Sequence, residues 1–231
     1  MPRSVSSGGH TFSRHVAPFA PVALALLMHS ASPGSADHPK PAKSSEPAVC
    51  SEFDIDATAS TSLAQVSLPP APGKTCTVRE TSDHFLLPDP TCTPGAINPT
   101  VTAEVLQSPD FRTTCIRSHA TTEQQKAQTY QFYGIAHPSN NSGSTQTCEL
   151  DHLISLELGG ADTLDNIWPQ CGPPNVALSE RFFKRKDAVE NFLAKQVKER
   201  KMSLSDAQKG IANDWTQFLA AAEGCESGAC E

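Results

Sequence analysis

Polar and apolar positions fall into clear periods mainly in the second half of the chain. In ELDHLISLEL, residues 149–158, Leu150, Ile154, Leu156 and Leu158 are apolar, while Glu149, Asp151, Ser155 and Glu157 are polar. This two-residue period predicts a half-buried strand with His152 on its apolar side. The pair Gly159 and Gly160 ends the strand and permits a turn with positive φ, after which LDNIW, residues 164–168, predicts a second short strand. Beyond the breaker CGPP, the spacing of Leu178, Phe182, Val189, Phe192, Leu193 and Val197 predicts a helix. Ser203 with Asp206 resembles a capping box, and Leu204, Ala207, Ile211, Trp215 and Phe218 mark one face of a further helix that would cover the core. Upstream, Thr121 with Gln124 has capping-box spacing ahead of a short helix that stops at Gly134. Its apolar residues Ala127, Tyr130 and Phe132 make a thin stripe, which needs a larger body to pack on.

The first third obeys different rules. From residue 50 to about 87, short apolar pieces alternate with Pro-Pro, Pro-Gly and Asp-Pro breakers, which predicts irregular or β-rich structure held by cystines. Residues 37–48, DHPKPAKSSEPA, bury too little apolar surface to offset chain entropy and read as a disordered linker. Residues 1–36 carry Arg3 and Arg14 and no acidic residue. Their apolar run, residues 16–28, is too short for a membrane span but fits the core of a signal peptide. Cleavage after Gly34-Ser35-Ala36 would start the mature chain near Asp37, with Ala31 as the fallback. The expected organisation is therefore signal peptide 1–36, linker 37–48, an irregular cysteine-containing segment 49–91 and one compact domain over 92–231.

All eight cysteines lie beyond that cleavage point, and an even count in an exported chain predicts a disulfide framework. Sequence leaves the pairing open, although Cys148 with Cys171 would staple the two ends of the predicted hairpin and Cys225 with Cys230 would close the tail. No C-x-x-C occurs, which argues against a zinc ribbon or a thioredoxin-type site. The formal net charge is −7, and removal of Arg3 and Arg14 makes it −9, so bulk attraction to nucleic acid is excluded and any polyanion contact must be local. One local basic run exists. Residues 181–201 hold eight Lys or Arg against Asp187, Glu190 and Glu199, a pattern that suits either phosphate binding or the outer face of an amphipathic helix.

The stretch DHLISLELGGADTLDNI, residues 151–167, with its Asp-His pair, Gly-Gly pair and an asparagine fourteen positions after His152, resembles the HNH, or ββα-metal, nuclease family. It looks in particular like a group of small exported HNH-like proteins; TPGAINPTVT and MSLSDAQKGIANDW also fit that group. The likeness spans roughly residues 92–222, and its sharp motif is confined to about 149–175. It implies an α+β fold with a small hairpin-helix core, additional helices and disulfide bracing. It also implies metal-dependent hydrolysis of DNA or RNA phosphodiesters, with Asp151 a ligand to a divalent cation and His152 the general base. Asn166 would either coordinate the cation or hold the imidazole-bearing loop through its amide. The third ligand position falls on Asn175, which also sits where it could cap the following helix. Oxygen donors of this kind suit Mg²⁺ or Mn²⁺ better than zinc. Two departures stand out: Ser155 replaces the usual proline, and the family's zinc thiolates are missing, so cystines must brace the fold. Glu149 is a further carboxylate on the polar strand face.

One constraint bears on this expectation. Neighbours on a flat strand point to opposite faces, so Asp151 and His152 share a site only where the strand twists or ends, or with the cation at its rim. The competing expectation is a secreted, noncatalytic, cystine-braced binding module on the same scaffold.

Overall fold

A computed structural model describes residues 50, 52–63, 75–118 and 121–226. The expected signal peptide with its cleavage site, the expected linker and Cys230 lie outside the described residues. The fold is mixed α+β, with small two-stranded sheets and helices wrapped around them. Among the described residues, no helix is long and apolar enough to cross a membrane.

The N-terminal part contributes β1 (Thr61–Ser62), β2 (Arg79–Glu80), β3 (Leu86–Leu87) and β4 (Ala96–Ile97), two residues each. β1 pairs with β4 and β2 with β3, both antiparallel. Cystines Cys50–Cys115 and Cys76–Cys92 hold this breaker-rich chain, as the sequence leads one to expect where strands are too short to carry themselves. The segment is not peripheral: Phe85 and Leu87 are buried in the same cluster as the C-terminal helices.

The longest sheet is a hairpin of β5 (Cys148–His152) and β6 (Ile167–Cys171), in register from Cys148 opposite Cys171 to His152 opposite Ile167. The Cys148–Cys171 disulfide closes its open end. Cys225 is also disulfide-bonded.

The strand expected over residues 149–158 ends at His152. The chain instead turns inward, so Leu153 and Ile154 are buried and Leu156–Leu158 form a 3₁₀ turn. The alternation is real in sequence, but both Leu156 and Leu158 belong to the core through a turn and not through a pleat. Likewise Leu164–Asn166 is a 3₁₀ turn, and the returning strand starts only at Ile167.

Five helices complete the described fold: α1 (Ala103–Gln107), α2 (Glu123–Phe132), α3 (Phe182–Lys198), α4 (Leu204–Asp214) and α5 (Leu219–Glu226). The capping box of α2 sits one residue later than the expected Thr121 and Gln124, on Thr122 and Gln125, and the helix gives way to Gly134 at φ +62°. Ser203 caps α4 as its spacing predicts, accepting from the Asp206 amide. The helical run expected from Leu178 is split, because Leu178–Glu180 is a separate 3₁₀ turn. The face expected to continue through Phe218 is also broken, because Asp214 accepts from the Thr216 amide and starts a new 3₁₀ turn at Trp215.

The main core gathers Leu106 of α1, Val189, Leu193 and Val197 of α3, Ile211 of α4 and Trp215 around Ile154, Leu156 and Leu158. A second cluster sets Trp168 against Tyr133, Leu153 and the Cys76–Cys92 cystine. The hairpin therefore lies between α2 on one side and α3 on the other. Replacing both Cys148 and Cys171 with serine frees a loop of 23 residues in sequence separation. The expected loss is about 3 kcal/mol of unfolding free energy by urea denaturation, from restored freedom of the unfolded chain.

Candidate functional site at the hairpin exit

Three features fix the backbone around His152. Asn166, fully buried at the base of β6, accepts from the Ile154 amide at 2.9 Å and donates to the carbonyls of Ile154 and Ala161, both at 2.9 Å. A longer bond from the Ala96 amide, 3.4 Å, reaches the same oxygen. Gly160 is glycine for a steric reason: a Cβ there would lie 1.9 Å from the Ile154 carbonyl oxygen and 2.9 Å from the Asn166 amide nitrogen. Gly159 takes the left-handed conformation at φ +70° that ends the 3₁₀ turn. Between the two alternatives for Asn166, its amide is committed to holding this loop.

At the exit of β5 the two family residues part. The carboxylate of Asp151 meets Lys186 of α3, with Nζ 2.8 Å from Oδ2. The imidazole of His152 turns instead to Asp162, with Nε2 2.9 Å from Oδ1. Lys126 of α2 places its Nζ 2.9 Å from the same Asp162 oxygen. Asp162 has no exposed side-chain surface and His152 keeps 14%. Burial acts to raise the Asp162 pKa, but the hydrogen bonds from His152 and Lys126, with their charges, outweigh it and hold the carboxyl below its ordinary value. An ionised Asp162 can only accept, so Nε2 of His152 carries the proton toward it and Nδ1 is the basic nitrogen.

His152 and Asp151 both line a polar cleft of about 250 Å³. Among the described residues, Arg117 is the one Lys or Arg on its wall, against carboxylates Glu149, Glu157, Asp187 and Glu190 besides Asp151. Lys184 reaches two of these, 2.7 Å from Asp187 and 3.7 Å from Glu149. Burial, then the nearby Asp151 charge, pushes the Glu149 pKa up. A larger cleft, about 710 Å³, is bounded by Phe85, Phe182 and Arg185, and none of the sequence-predicted site residues lines it.

Asn175 is exposed in the turn after Pro174, lines neither cleft, and does not cap α3, whose N-cap is Arg181. His84 is exposed and paired with Glu80, and His137 rests edge-on against Tyr130 with ring centroids 4.7 Å apart. The donors that the resemblance implies for a divalent cation are thus not brought together: Asp151 is ion-paired, Asn166 is engaged by backbone groups and Asn175 is elsewhere. Among the described residues, no group of three or more His, Cys, Asp or Glu side chains is placed to hold a metal ion. As arranged, these residues do not fit the cation.

Sequence reasoning passed over Asp162, Lys126 and the buried state of Lys186. For Lys186 and Glu190 a signal existed. Positions 183, 186, 190, 193 and 197 recur at three- and four-residue steps, which puts both charges on the core-facing stripe of α3 with Phe183, Leu193 and Val197. Asp162 and Lys126 carry no local mark, since their meeting is purely tertiary.

Comparison of the chain with protein-family models, with curated proteins and with solved structures gives no match in any of the three.

This geometry carries two expected outcomes. Asn166→Ala leaves buried peptide groups of Ile154 and Ala161 without partners, and urea unfolding should register a loss of roughly 3 kcal/mol. Burial pushes Glu190 up to about 8, with Lys186 opposing and Asp151 reinforcing the rise. The unfolded chain releases that proton near the ordinary carboxylate value, so the folded state binds more protons in between. The stabilisation is complete below the ordinary value and is lost as pH rises through about 8. The thermal midpoint should therefore fall between about pH 5 and about pH 9, and Glu190→Gln should flatten that fall.

Proposed function

We propose that this chain is an exported hydrolase of nucleic-acid phosphodiester bonds, with His152 as its general base. The observation that carries this reading is the His152–Asp162 pair, with His152 among the residues that line a polar cleft. A carboxylate fixed behind an imidazole selects the tautomer and stabilises the imidazolium formed when the base accepts a proton from an attacking oxygen. Lys126 keeps that carboxylate charged and in place. Arg117 on the cleft wall supplies a guanidinium able to pair with a phosphate. The likeness of the Asp-His, Gly-Gly and Asn spacing to HNH nucleases supports the substrate class. Export is supported by the N-terminal apolar run and by cystines, which persist in oxidising compartments. No reaction step is assigned to the divalent cation of that family, because the donors do not converge on one.

A second reading is favoured by a specific observation. Asp151 and Asn166 are both engaged in holding structure, which suits a noncatalytic binding module that kept the hairpin-helix scaffold.

The two readings separate in one assay. Purified, disulfide-intact protein is incubated with plasmid DNA and with RNA, with Mg²⁺ or Mn²⁺ and with chelator. The hydrolase reading expects cleavage in at least one arm, reduced by about 10²- to 10⁴-fold in His152→Ala. Absence of cleavage in every arm leaves the binding module, and cleavage indifferent to His152→Ala overturns His152 as the base.

A further inference from the structure

We propose that the ammonium of Lys186 is this fold's resident cation, filling the oxygen cage beneath the cleft in which a divalent ion would otherwise sit. The cage has three walls from two elements. Asp151 presents Oδ2 at 2.8 Å from Nζ, the His152 carbonyl accepts from Nζ at 2.7 Å, and Glu190, one turn along α3, accepts through Oε1. The ammonium donates to two of these oxygens, the His152 carbonyl and Glu190, and lies in ion-pair contact with the third, on Asp151. The Lys186 side chain has no exposed surface. Burial alone would pull its pKa down, but the charges of Asp151 and Glu190 outweigh this and raise it, so the group stays cationic.

The cage leaves no role for a second cation. Mg²⁺ or Mn²⁺ would need the Asp151 oxygen at a distance close to 2 Å, and would then lie within a few ångströms of a buried ammonium, with like-charge repulsion between them. The lysine is also held covalently by α3, so the cage is filled whenever the helix is docked. Its charge does what a structural ion does: it offsets the buried carboxylate of Asp151, while Glu190 accepts a hydrogen bond from it. Through the His152 carbonyl it also fixes the backbone of a residue that lines the cleft. This inference does not depend on the hydrolase reading, since it concerns what holds Asp151.

The test uses the full, disulfide-intact chain and the metals alone. The thermal midpoint of the unmodified protein should be the same in EDTA, Mg²⁺ and Mn²⁺, because no ion binds the folded state preferentially at this cage. Lys186→Ala should lower the midpoint sharply, and Mn²⁺ should then raise it again by entering the vacated space. The opposite pattern overturns the proposal: a midpoint of the unmodified chain that falls in EDTA, or rises with Mn²⁺ and loses that rise in Asp151→Asn. A folded Lys186→Ala chain as stable as the parent would overturn it equally. Should Lys186→Ala fail to fold, the chelator and Mn²⁺ responses of the unmodified chain decide alone.

Discussion

The pleat of a β-strand governs this site. Successive side chains on an extended backbone leave on opposite sides, so an Asp-His pair on one strand serves two partners unless the strand breaks between them. β5 continues through His152, in register with Ile167, and the pleat is kept. Asp151 therefore goes to α3 and Lys186, and His152 goes to Asp162 and the α2 side through Lys126. Each residue becomes an anchor of the hairpin to a different helix. The same alternation gives the two side chains different partners, although both residues line one cleft.

The path of the chain beyond His152 depends on Asn166. With no further ladder to satisfy them, the peptide groups of Ile154 and Ala161 would be buried and unpaired, and the asparagine amide supplies their partners. Its grip lets Leu153, Ile154, Leu156 and Leu158 enter the core and brings Asp162 round to the imidazole. Gly160 belongs to the same device, since the close approach of the Ile154 carbonyl excludes any side chain there. An asparagine and a glycine thus position the cleft without touching what it would bind.

Much of this scaffold was legible in the sequence, and the parts that were not share a cause. The Gly-Gly turn, the cystine closing the hairpin and the Ser203 cap are local signals, and each is set by residues within about one element of one another. The strand end at His152 was not legible, because Ile154, Leu156 and Leu158 keep an alternating pattern whether they are pleated or folded inward by Asn166. The basic run over residues 181–201 reads as an exposed face or a phosphate track, yet Arg181 and Lys186 are buried. Charge outweighs periodicity in such a reading, although the three-and-four spacing already set Lys186 and Glu190 in the apolar stripe. The burial of Lys186 is offset by Asp151, which lies on another element, together with Glu190.

The acidity of the cleft has to be reconciled with an anionic substrate. Five carboxylates line it, but they do not act as five free charges. Lys186 offsets Asp151 and Glu190 from below, and Lys184 offsets Asp187 and Glu149 at the rim. Glu190, pushed up to about 8 by burial, tends to hold a proton at neutral pH and removes a further negative charge. Glu157 and Arg117 also line the cleft. On the proposed reading, a phosphate entering beside Arg117 meets a wall whose carboxylates are partly offset by lysines. The internal lysines make a cleft built from carboxylates compatible with a phosphodiester, because they cancel charge that would otherwise repel it.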